Sequence, residues 1–160
     1  MAIGNNFNPA MGFVRRRGTR RYMVEANYMP YFEDISWLRN TRHGYEAELY
    51  TNLSNDIVNT KQTFKLASLS FETQEELSLS VSHYTDRPDK DFNISDGTII
   101  PADNYDWWNA RLSLNTGLYR KFAAANSYTV GGFYDGNRQQ LSSTLVYRPT
   151  KRISLTSTTP

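Results

Sequence analysis

The chain has no cysteine, so neither a disulfide framework nor a thiolate metal site is open to it. It has only two histidines, His43 and His83, and neither has a second ligand at metal-site spacing, so no metal is expected. It has no apolar run near the ~18 residues of a spanning helix. It also lacks an excess of either charge. With 18 lysines and arginines against 16 acidic residues the net charge is +2, which provides no overall field to recruit nucleic acid or acidic lipid. Helical patterning is nearly absent: the one alanine run is Phe122–Ala125, and no stretch keeps a three-and-four apolar spacing for long. What is abundant is the aromatic ring. Aromatics reach 14% of 160 residues, led by 11 tyrosines, in a chain whose mean hydropathy is only −0.63. Disordered chains are poor in such residues.

The apolar residues recur at every second position. Tyr22, Val24, Ala26 and Tyr28 share one parity, with Glu25 and Asn27 on the other. Tyr45, Ala47, Leu49, Thr51 and Leu53 alternate with Glu46, Glu48, Tyr50 and Asn52; Leu77, Leu79 and Val81 alternate with Ser78, Ser80 and Ser82. Trp108, Ala110, Leu112 and Leu114 oppose Asn109, Arg111, Ser113 and Asn115, and Leu141, Leu145 and Tyr147 oppose Gln140, Ser142, Thr144 and Arg148. Strands with one apolar and one wet face generate this period. The pattern predicts strands over 20–29, 37–52, 60–72, 76–86, 105–116, 122–134, 138–148 and 152–158. In Thr60–Glu72 the apolar parity switches between Leu66 and Leu69, which predicts either a bulge near Ala67–Ser68 or a strand buried on both faces; the bulge is favoured.

The connections alternate in length. Pro30–Ser36, Thr73–Glu75, Gly117–Lys121 and Pro149–Lys151 form one set, three of them short. Ser54–Asn59, Arg87–Asn104 and Asp135–Asn137 form the other, with a two-residue hairpin signal at Asp135-Gly136. Rings gather at strand ends: Tyr28, Trp37, Phe71, Phe122 and Tyr147 near the first set, and Tyr84, Trp107, Trp108, Phe133 and Tyr134 near the second. Short turns at one rim, longer loops at the other and rings at both ends are habits of outer-membrane barrels. A soluble β-sandwich produces the same alternation by hiding its apolar faces between two sheets. Most of these strands reach 10 to 13 residues, which favours the barrel, because soluble strands average five or six and spanning strands need about 9–11.

Four stretches carry a resemblance: Asn5–Arg17 (NNFNPAMGFVRRR), Gly97–Trp107 (GTIIPADNYDW), Gly131–Ser142 (GGFYDGNRQQLS) and Tyr147–Leu155 (YRPTKRISL). In this order, and over nearly the whole chain, they resemble the C-terminal β-barrel domain, of unknown function, of bacterial surface proteins that carry a family-nine-like carbohydrate-binding module upstream. The resemblance implies an outer-membrane location, with outer-membrane lipid as partner and glycans as ligands of the upstream module. That module has no counterpart here, Met1–Asn8 does not read as an export signal, and Thr158-Thr159-Pro160 lacks the aromatic end typical of exported barrels. The chain is therefore expected to be a fragment, with residues 1–19 a lead-in and residues 20–160 about eight strands of a wider antiparallel up-and-down barrel.

The candidate sites follow from that expectation. Tyr28, Trp37, Tyr84, Trp108, Tyr134 and Tyr147 are expected at the lipid–water interface, with Trp107 facing inward; Glu46, Glu48, Arg111 and Arg148 are expected to line a watery lumen. Arg15–Arg17 with Arg20–Arg21 concentrate charge, yet without a nucleic-acid fold signature they read as loop, lipid-phosphate or lumen residues, and no nucleic-acid partner is expected. Glu46 and Glu48 share a strand face, which an acid–base pair needs, but carboxylates paired with arginines need the same spacing. No nucleophile elbow is visible, and no enzyme activity or cofactor is expected. Asp86, Asp89, Asp91 and Asp96 lack calcium-loop spacing and read as a solvated loop.

Overall fold

The period-two pattern becomes an antiparallel meander. The computed structural model describes residues 2–3, 18–95, 97–117, 119–150 and 152–159. Its strands are β1 (Ala2–Ile3), β2 (Thr19–Tyr28), β3 (Leu38–Asn52), β4 (Ile57–Phe71), β5 (Glu76–Asp86), β6 (Phe92–Ser95), β7 (Thr98–Ile100), β8 (Tyr105–Asn115), β9 (Phe122–Phe133), β10 (Gly136–Thr150) and β11 (Ile153–Thr159). One sheet runs in the order β1-β2-β3-β4-β5-β8-β9-β10-β11, and β6 and β7 form a separate hairpin inside the long loop. No helix occurs among the described residues. Nor do β2 and β11 pair, so the sheet stays open where a closed barrel would join them.

Cross-strand register keeps the two parities apart across the whole sheet. Tyr22, Val24 and Ala26 pair with Leu49, Ala47 and Tyr45; Phe64 pairs with Val81, Val81 with Ala110 and Ala110 with Val130. On the opposite face Glu48 pairs with Lys61, Ser80 with Arg111 and Arg111 with Thr129. A slip of one residue would exchange the faces, so the register is strongly specified.

The parity switch in β4 is a bulge. Lys65 pairs with Ser80 and Ala67 with Leu79, which leaves Leu66 as the extra residue, one position before the expected site. Its carbonyl accepts a hydrogen bond from His43 Nδ1 at 2.6 Å, while His43 Nε2 lies 3.2 Å from Thr41 Oγ1. A backbone acceptor displaced from the ladder thus gains a side-chain donor. The bulge returns Leu69 and Phe71 to the face of Phe64.

The turns correct the expected boundaries. β4 begins at Ile57, three residues early, because the Asn-rich stretch before it is a compact turn. Asn52 Oδ1 accepts the backbone N–H of Ser54 and of Asp56, each at 2.9 Å, and Asn55 adopts φ 70°. The β9–β10 hairpin turns on Tyr134 and Asp135, since Phe133 pairs with Gly136. That is one residue ahead of the expected Asp135-Gly136, and it places tyrosine at φ 54°.

Among the described residues no second layer covers the sheet. Backbone contacts between strands join hydrogen-bonded neighbours only, and the buried apolar residues are few: Leu38, Ile100, Trp107, Ala123 and Val146. Leu79, Leu112, Leu141 and Leu145 stand exposed, whereas the small polar residues Ser78, Ser80, Ser113, Ser127 and Ser142 of the other face are half-buried.

Candidate functional site

The two faces of this single layer are the candidate functional surfaces. On the apolar face, Tyr28 and Tyr147 stand at the short-turn rim, where Tyr147 stacks on Phe122 with ring centroids 4.5 Å apart. Trp37, in the connection before β3, stacks on Phe71 at 5.9 Å. Trp108 is 52% exposed near the long-loop rim, stacked on His83 at 4.5 Å and facing Phe64 at 6.3 Å. Polar side chains interrupt this face, and they bond to one another. Thr60 meets Thr85 at 2.7 Å, Tyr45 Oη donates to Gln62 at 3.0 Å, Ser143 Oγ donates to Asn126 at 2.6 Å, and His83 Nε2 lies 2.7 Å from Asp106 Oδ2. Pairing of this kind is what an apolar surrounding requires of polar groups.

The polar face holds Glu46, Glu48, Arg111 and Arg148 together, as their parity predicts. Arg21 lies 2.9 Å from Glu48, which also accepts from Tyr50 Oη at 3.3 Å. Lys65 lies 3.0 Å from Glu25 and 3.8 Å from Glu46. Glu46 and Glu48 therefore each face a cation. Arg111 Nη2 donates to Ser127 Oγ at 3.0 Å, and Arg148 Nη1 to the Arg120 carbonyl at 3.5 Å.

Two rings expected at the interface, Tyr84 and Tyr134, lie off the apolar face. Tyr84 pairs with Trp107 on the polar face and stacks on it at 5.4 Å with 9° between planes; Tyr134 lies in the turn and leans onto the same stack, 4.9 Å from Trp107. Even numbering on β5 places Tyr84 with Ser78, Ser80 and Ser82, so closeness to a rim does not put a ring on the apolar side. Phe133, Tyr105 and Phe92 complete the cluster around Tyr134 at 5.0, 4.9 and 5.6 Å. Tyr134 Oη donates to the buried Asp86 at 2.9 Å. Through Phe92 the cluster carries the β6–β7 hairpin, an element without a sequence-level expectation. Its signal, Phe92 and Ile94 before Gly97 and Ile99-Ile100, is short and lies between Pro88 and Pro101.

Gly132 makes room for this stack, and Gly131 for the β8 backbone beside it. Gly131 has φ +152°, and a Cβ there would lie 2.1 Å from the Trp108 carbonyl oxygen; a Cβ on Gly132 would lie 2.8 Å from Trp107 Cβ. Of the remaining candidates, Arg20 bonds Asn55 and Asp91 accepts the Ala102 N–H at 2.8 Å, while Arg15–Arg17 and Asp96 lie outside the described residues. Among the described residues no three histidine, aspartate or glutamate side chains gather as a metal site. A shallow hollow of about 530 Å³ at the short-turn rim is lined by Tyr31, Phe32, Glu33, Ile35 and the Arg39–Glu72 pair.

No family model, no curated protein and no solved structure matches this chain.

Proposed function

We propose that this chain is the strand-built wall of a bacterial outer-membrane β-barrel, with its apolar face toward lipid and its polar face toward an aqueous lumen. One observation carries the reading: large apolar side chains cover one face of a single-layer sheet and are left exposed, while polar groups among them are bonded to each other. The reach of the strands supports it. β2, β5, β8 and β9 run 10 to 12 residues and β3, β4 and β10 run 15, enough to cross a hydrocarbon layer at a tilt. Further strands would pair the outer edge of β11 and that of β2 beyond its short pairing with β1, since lipid offers no partner to a free edge. The role is passive and non-enzymatic, as a pore or anchor. The resemblance stated above adds a link to glycan binding or uptake through a module upstream.

Single-tryptophan variants test this. With Trp37 and one of the adjacent pair changed to Phe, the chain is folded into vesicles containing dibrominated phosphatidylcholine. Emission from Trp108 is expected to be quenched by the bromines and that from Trp107 to be spared. A chain that stays monomeric in detergent-free buffer and ignores the vesicles would overturn the reading in favour of a soluble sheet module.

A further inference from the structure

The polar face is electrically divided. Across β2–β4 it carries Arg21, Lys61 and Lys65 against Glu25, Glu46 and Glu48, and contacts of 2.9, 3.0 and 3.8 Å join Arg21 to Glu48 and Lys65 to Glu25 and Glu46 as ion pairs. Across β8–β10 the same face reads Trp107, Asn109, Arg111, Ser113, then Ser127, Thr129, Gly131, then Arg138, Gln140, Ser142, Thr144. Every charge in that second set is an arginine. Among the described residues neither Arg111 nor Arg138 is joined to a carboxylate: Arg111 donates to Ser127, and Arg138 to Gln140 while lying over the Phe133 ring at 5.4 Å. The carboxylates that β5 adds to this face, Glu76 and Asp86, stand at its two ends. Ser68 holds the first at 2.5 Å, and the second accepts from Tyr134.

Register sets the two arginines close. Arg111 pairs with Thr129, which pairs with Gln140; one row on, Asn109 pairs with Gly131, which pairs with Arg138. Two strands across and two residues along is roughly 12 Å between backbones, a span two guanidinium side chains can share. Gly131 stands between them without a side chain. Forked N–H donors, neighbouring hydroxyls and an amide make up the chemistry that recognises an oxyanion.

We propose that Arg111 and Arg138, with Ser127, Thr129 and Gln140, form an anion-binding strip on the polar wall, so that the solutes this wall favours are small carboxylates or phosphates. As a statement about passage it rests on the lumen reading above; as a statement about binding it stands by itself. The experiment has two arms. The full chain, folded in detergent, is titrated with inorganic phosphate and separately with acetate at constant ionic strength, following the arginine Nε–H resonances. Arg111 and Arg138 are expected to shift saturably and Arg21, held by Glu48, to stay; the stronger of the two titrations identifies the preferred oxyanion. Arg111→Gln should weaken the response at Arg138. Shifts that do not saturate, or that appear equally at Arg21, would overturn the strip whether or not the chain conducts. In planar bilayers under a salt gradient, the reversal potential is expected to mark anion preference, lost in the Arg111→Gln/Arg138→Gln double variant. A cation preference in the parent chain overturns the proposal. Saturable binding without any conductance supports the strip and sinks the pore instead.

Discussion

At the residue scale the sheet depends on a few positions where backbone and side chain constrain each other. Tyr134 is the strongest case. An aromatic residue at positive φ is costly, of order 1 kcal/mol or more, and here it is held by three neighbouring aromatics, by Trp107 and by the bond to Asp86. Sequence pattern placed the turn one residue later because Asp-Gly normally takes such backbone angles, and no local rule anticipates a tyrosine fixed from across the sheet. Gly131 is the counterpart, a position where side-chain absence is structural. Gly131→Ala drives a Cβ into the Trp108 carbonyl and is expected to destabilise by roughly 2–3 kcal/mol. Gly136→Ala, whose Cβ meets only ordinary contact at 3.7 Å, should cost well under half of that. Denaturant midpoints of the two variants check the contrast.

At the element scale the turns are held by bonds between neighbouring connections. Arg120, in the β8–β9 connection, lies against Glu75 of the β4–β5 turn and donates to the Thr73 carbonyl at 2.7 Å. The Thr73 side chain first, then the backbone at Glu75 itself, and then Arg120 hold the Glu75 carboxyl below its ordinary value. A folded-state value below the unfolded one means that this contribution is present above the unfolded value and disappears as pH falls through the folded one. Carbon-detected titration of Glu75 should therefore give a midpoint below the ordinary carboxylate value, and Thr73→Ala and Arg120→Gln should each move it upward. An unshifted midpoint in the parent chain would remove the turn-to-turn link. The β4 bulge belongs to this scale too. It was legible because apolar parity changes within one strand, and its location was missed by one residue because only the His43–Leu66 bond distinguishes Leu66 from Ala67.

At the scale of the described sheet, one layer carries two incompatible surfaces and few buried apolar residues. In the lipid reading, charge on one face is costly and on the other nearly free. Leu112→Arg is expected to lose about 2–4 kcal/mol of stability in a bilayer, and Ser113→Arg, its immediate neighbour, close to none. Unfolding measured in vesicles separates them. Equal costs for the two would mean that the faces do not differ in environment, and the barrel reading would fall with that result.

Sequence alone determined the class, the parity of the faces, the order of eight long strands to within a few residues, and the grouping of Glu46, Glu48, Arg111 and Arg148 on one side. All of these follow from a local period of two, which the backbone imposes on every strand. Tertiary structure decided what period cannot encode. It alone showed that, among the described residues, no second layer covers Leu79, Leu112 and Leu145, Tyr84 and Tyr134 join Trp107 in a ring cluster, a β6–β7 hairpin leans on that cluster, and acidic partners reach Arg21 and Lys65 but not Arg111 and Arg138. The physical reason is that each of these depends on which distant residue the register brings alongside, and side-chain alternation is the same whether a neighbour is lipid, water or another strand.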